Sequence, residues 1–192
     1  MEGGKTKMAD TQVLSRFSKL PTRDQATALF VGVKGIGKHR TANTLINEYN
    51  TDFRVQIRIA TSLPLPPDTD DTRPRIDFIV FFIDVGNKTS FEVIKSSLPY
   101  VDIEYFLGHC CFVATNVRNE SIHAINVQDV TSLASTYDST LLCAEVQTER
   151  GQKILAKKLV NYLQIAAGFC SDVTPMLVDT TRQPWVNDEE PP

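Results

Sequence analysis

No stretch of these 192 residues approaches the ~20 consecutive apolar positions of a membrane-spanning helix. Met1 to Asp10 is polar and carries no apolar signal core. Charge of one sign is not in surplus either, since 20 Lys and Arg against 23 Asp and Glu leave a net charge of −3. That balance offers no general attraction to nucleic acid or to an anionic membrane, and no basic helix stands out, which argues against direct DNA binding. Cysteine is scarce, and Cys110, Cys111, Cys143 and Cys170 make no C-x-x-C pair. The first three lie in apolar runs, as reduced core thiols of an intracellular protein do. His39, His109 and His123 are scattered, without the spacing of a tetrahedral metal site, so no metal is expected. There is no G-x-S-x-G elbow and no H-E-x-x-H, so no catalytic residue is assigned.

What is present fits one domain, long enough to bury a sizeable core without disulfides or metal. Residues 1–20 read as a polar lead-in, 21–170 as the folded domain, and 171–192 as a tail of prolines, acids and the lone Trp185. Within the domain, strand and helix signals alternate. A first strand spans about Thr27 to Val33, and a helix follows from about Lys38 to Tyr49, with Ala42, Leu45, Ile46 and Tyr49 at helical spacing. Phe53 to Ile59 alternates apolar with polar, which predicts a strand at a sheet edge. Leu63 to Pro74 holds four prolines and three aspartates and must be a loop. Ile76 to Ile83 is almost continuously apolar, as a central parallel strand is.

Thr89-Ser90-Phe91-Glu92 has the pattern of a capping box and predicts a helix start, with Phe91, Ile94 and Leu98 on one face and Pro99 near its end. Cys110 to Ala114 is the fourth strand. A helix through Val127, Val130, Ala134 and Tyr137 follows, then a strand at Leu141 to Ala144. A helix from about Thr148 to Ala167 closes the domain. Ile154, Leu155, Leu159, Tyr162 and Leu163 face inward there, and Lys153, Lys157 and Lys158 face solvent. The class is therefore α/β with a mostly parallel five-stranded sheet. Right-handed crossovers suit the order 2-1-3-4-5, three layers with helices on both faces.

Gly32-Val33-Lys34-Gly35-Ile36-Gly37-Lys38-His39 nearly matches the phosphate loop G-x-x-x-x-G-K-[ST], between strand and helix as that loop requires. Its glycines would turn backbone N–H groups toward phosphates, and Lys38 would reach them. But His39 stands where a hydroxyl should hold Mg²⁺, a hard cation that takes oxygen ligands. The other parts of a GTPase are missing too. The strand after the loop helix ends Ile59-Ala60-Thr61-Ser62 without an acid, and no glycine occurs between Gly37 and Gly86. Asn50 to Asp52 leaves no room for a switch segment. Asn-Lys-x-Asp appears as Asn116-Val117-Arg118-Asn119, which keeps a residual base-reading Asn116 but loses the carboxylate that guanine's donors need. Asp68, Asp70 and Asp71 are near in sequence, but an exposed acidic loop is an ordinary feature.

Leu63-Pro64-Leu65-Pro66, Arg73-Pro74-Arg75-Ile76-Asp77-Phe78-Ile79-Val80-Phe81, Phe106-Leu107-Gly108 and Cys111-Phe112-Val113-Ala114-Thr115 closely resemble the centromere protein M family. These are small-GTPase-like subunits of the constitutive inner kinetochore. The resemblance runs from about Leu20 to Gly168. It implies a P-loop-like pseudo-GTPase that neither binds nor hydrolyses nucleotide and needs no cofactor. It implies a nuclear, centromeric scaffold working with centromere proteins H, I and K, protein I being the direct contact. The intact Gly32, Gly37 and Lys38 depart from a fully degenerate loop. The alternative reading is therefore a protein that binds GTP or ATP without efficient turnover. Candidate partner contacts are Arg54 and Arg58 on the edge strand, and Leu63, Pro64, Leu65, Pro66 and Arg73 on the proline loop.

Overall fold

The computed structural model describes residues 13–48, 52–68, 72–171 and 173–175. Among these residues there are five strands: β1 (Gln25–Val31), β2 (Arg54–Ala60), β3 (Phe78–Asp84), β4 (Cys110–Thr115) and β5 (Thr140–Ala144). They form one sheet in the order β2-β1-β3-β4-β5, with every pairing parallel. This is the expected class, strand order and edge placement of β2. The register sets Gln25 opposite Arg54 and Ile79 opposite Cys110. Four helices make the crossovers: α1 (Lys38–Glu48), α2 (Lys88–Ser97), α3 (Val127–Thr136) and α4 (Glu149–Ala166).

Successive residues of a strand point to opposite faces, so the sheet builds two cores. Phe30, Val80, Phe82 and Leu142 meet Leu45 of α1 and Leu155, Leu159 and Leu163 of α4 on one face. Leu29, Ile79, Phe81 and Phe112 meet Ile94 of α2 and Val130 of α3 on the other. The rings of Phe81 and Phe112 stack at 5.3 Å, and those of Phe30 and Phe82 lie tilted at 5.2 Å. β3 is buried from Phe78 to Ile83 because helices cover both its faces, which explains its unbroken apolar run. Ile154 and Tyr162 are only partly buried beside this core, whereas Gln152, Ala156 and Val160 of α4 are buried.

One local reading changes. The Thr89–Glu92 capping box does not form. Asn87 caps α2 instead, its side chain accepting from the Thr89 N–H at 3.0 Å. Ser90 turns into the core, where its hydroxyl accepts the Asp84 N–H at 2.9 Å. The helix therefore begins two residues earlier than that box predicts, and Ser90 lies within its first turn, buried against the end of β3. Pro99 lies in a 3-10 turn, Leu98–Tyr100, that follows α2. Within the first 20 residues, 13–20 are placed. Leu14 bridges to Val101, and a 3-10 turn follows at Arg16–Ser18. Tyr49, Asp70, Asp71 and the tail from 176 lie outside the described residues.

Candidate functional site

All five strands are parallel, so their carboxyl ends gather at one pole, where open α/β sheets place ligands. β1 delivers Gly32 there, β2 Thr61, β3 Asp84, β4 Asn116 and β5 Glu145. The glycine loop closes tightly. Gly37 has φ +98°, and a Cβ there would lie 2.8 Å from Val146 Cγ2. Gly35 also has positive φ, but open space surrounds it. Ile36 turns down into the core beneath the loop.

Lys38 is 3 % exposed. Its ammonium folds back onto the loop, donating to the Gly32 carbonyl and, at 3.0 Å, to the Val33 carbonyl. Burial alone pulls its pKa down to about 8, with no carboxylate among the described residues to counter it. Beside it opens a cavity of about 580 Å³, lined by the loop, by Lys34, His39 and Arg40, by Ile59 to Thr61 at the end of β2, and by Gln147. No acid among the described residues lines this cavity. Asn116 points elsewhere: its φ is +62°, and its amide donates to Asp84 Oδ1 at 2.8 Å. Asp84 also accepts the Gly86 N–H at 2.9 Å. Asn116 therefore serves as a strap between the ends of β3 and β4. Asp84 was legible as the acid ending the longest apolar strand, yet the sequence reading stopped at Ile83.

The proline loop is tied down rather than free. Leu63 is 5 % exposed, and its N–H donates to Ser97 Oγ at 3.0 Å. It belongs to the hydrophobic core. Pro64 and Pro66 are exposed, and Leu65 is half-buried. Asp68 accepts the N–H groups of Thr72 and Arg73 and pairs with Lys19 at 2.8 Å, which holds its carboxyl below the usual range. The Arg73 guanidinium donates to the Pro66 carbonyl. Asp68 is thus a loop clamp, and no group of three potential metal ligands occurs among the described residues. On β2, Arg54 is exposed and pairs with Asp24 at 3.0 Å, and Arg58 is exposed.

A second polar cluster, which the sequence reading missed, lies at the opposite pole. Arg16 donates to His109 Nε2 at 2.6 Å, so the imidazole is neutral with its proton on Nδ1. Burial and the nearby Arg16 and Arg75 guanidinium groups push its pKa down to about 4. Asp77 pairs with Arg75 at 3.2 Å and accepts the Thr27 N–H at 2.9 Å. Burial nevertheless raises the pKa of Asp77. No local motif announces this cluster, because its members are up to 93 residues apart.

Fold and site together define a doubly wound, all-parallel α/β protein with a lysine-filled glycine loop at the carboxyl pole of its sheet. The model of the family Centromere protein M (CENP-M) matches residues 11–185. The Danio rerio centromere protein M is 35% identical over 164 residues, covering 85% of this chain and 86% of the relative. The Homo sapiens protein is 37% identical over 164 residues, covering 85% and 89%. The Xenopus laevis protein is 34% identical over 160 residues, covering 83% and 88%. The chain belongs to the centromere protein M family.

Proposed function

We propose that this chain is a non-catalytic, GTPase-like scaffold subunit of the inner kinetochore, acting in chromosome segregation through protein contacts. Family membership makes it a centromere protein of the nucleus. The finer reading rests chiefly on one surface. Among the described residues eight large apolar side chains are exposed, and six of them, Val13, Phe17, Leu20, Ile103, Leu107 and Val173, come from three segments at the pole opposite the glycine loop. Leu14 pairing with Val101, Arg16 reaching the Ala166 carbonyl, and Gly108 packing on Pro175 bring these segments together. Exposed apolar residues gathered in this way mark an interaction surface. Centromere protein I is the proposed direct contact, with proteins H and K in the same assembly.

Catalysis is not part of this reading. Lys38 is spent on the loop's own carbonyls, Asn116 on Asp84, and β2 ends without an acid. The runner-up, nucleotide held without turnover, is favoured by the retained glycines and the cavity beside them. Two measurements separate the readings. Phe17→Asp with Ile103→Asp, both at exposed positions, is expected to abolish capture by centromere protein I while leaving the unfolding temperature near wild type. Undiminished capture refutes the scaffold surface. Thermal unfolding with millimolar GTP or ATP and Mg²⁺ is expected to show no shift. A ligand at ~100 times its Kd adds about 2.7 kcal/mol, so a rise of several degrees abolished by Lys38→Ala would establish the runner-up.

A further inference from the structure

The geometry points to the cavity beside the glycine loop as a docking site for an acidic, extended segment of a partner protein. Its carboxylates would sit among Lys34, His39 and Arg40, and its backbone would continue along the outer edge of β2. This inference deepens the scaffold reading and rests on it.

Charge carries the argument first. The protein as a whole is acidic, at −3, yet among the described residues the ionisable side chains lining this cavity are Lys34, Lys38, His39 and Arg40, with no acid. Lys38 adds a buried ammonium that no described carboxylate balances, an arrangement that a nearby anion relieves. Lys34, His39 and Arg40 are exposed and able to reach that anion.

Shape carries it second. Ile59, Ala60 and Thr61 line the same cavity, and they are the end of β2 and the residue after it. β2 pairs with β1 on one side and with no other described strand on the other. Such an edge presents a row of backbone N–H and C=O groups that an added strand can pair with. The exposed Arg58 on β2 extends the cationic character along that edge. A peptide suits this site better than a nucleotide. The Asn116 amide is held by Asp84, and the Lys38 ammonium is bent onto the loop carbonyls.

The test uses the full chain and a fluorescein-labelled peptide of alternating glutamate and valine, followed by anisotropy. Saturable binding is expected, weakened at least tenfold by Lys34→Glu with Arg40→Glu, lost when glutamine replaces glutamate, and weakened by N-methylation of alternate peptide residues. Both substituted side chains are exposed, and circular dichroism confirms that the variant is folded. No saturable binding, binding indifferent to the charge reversals or to N-methylation, or displacement by millimolar GTP with Mg²⁺ overturns the inference. The Phe17→Asp, Ile103→Asp variant is expected to bind the peptide normally. If the peptide fails while that variant still loses centromere protein I, this site is refuted and the scaffold reading stands.

Discussion

Acid should unfasten the N-terminal segment from the sheet through one residue, His109. Its imidazole is 9 % exposed and accepts a 2.6 Å hydrogen bond from Arg16. A protonated ring has no lone pair to offer a guanidinium and would repel it. The folded pKa is about 4, against 6.5 for an unperturbed histidine. Between those values the unfolded chain holds more protons than the folded one, so stability rises with pH through the window and is lost on acidification. The contribution is intact above pH 6.5. From these two pKa values, about 2 kcal/mol is lost by pH 5 and about 3 by pH 4. The carboxyl of Asp77, whose pKa is raised, works in the opposite direction, because it takes up protons more readily in the folded state. Comparison with His109→Gln isolates the histidine, since glutamine keeps an acceptor for Arg16 but does not titrate. Urea unfolding followed by far-UV circular dichroism at pH 7, 5 and 4 gives the two stability curves. The wild type is expected to fall below the variant by the stated amounts as pH drops. Parallel curves would show that His109 is not held neutral by this contact and would refute the reasoning.

Other outcomes follow from the glycine loop and the thiols. Gly37→Ala forces a Cβ into φ +98° and to within 2.8 Å of Val146 Cγ2, so a loss of about 1–3 kcal/mol is expected. Gly35→Ala meets no atom within 4 Å and should cost less, and Val146→Ala should recover part of the Gly37→Ala loss in a double-mutant cycle. Equal losses at the two glycines would show that Val146 does not press on the loop. Native thiol titration is expected to label Cys170 quickly and the buried Cys110, Cys111 and Cys143 only on unfolding. In the folded protein burial, aided by the neighbouring Glu145 charge, also pushes the Cys143 thiol up to about 11, which keeps it protonated and unreactive.

Much of this protein was readable residue by residue. Period-2 and period-3.6 patterns, punctuated by glycine and proline, are local signals, and they yielded five strands, four helices and the parallel order. The alternation of Val55, Ile57 and Ile59 with Arg54, Gln56 and Arg58 marked β2 as an edge, and the unbroken Phe78 to Ile83 marked β3 as central. The glycine spacing marked the tight turn between β1 and α1. Its chemical state was settled elsewhere. Lys38 turns to the Gly32 carbonyl and Asn116 to Asp84 because packing leaves those partners nearest, and no spacing rule encodes either bond. The sequence marked Thr89 as the helix cap, whereas Asn87 takes that place in the fold, with Ser90 buried against the end of β3. Leu63 reads as loop but folds into the core. Arg16 meets His109 across 93 residues, and the apolar pole draws on segments 13–20, 103–107 and 173. Local sequence determined the elements and their order, because each is stabilised mainly by its own periodicity. Which side chains came to face one another was decided by tertiary packing, since those contacts join residues far apart along the chain.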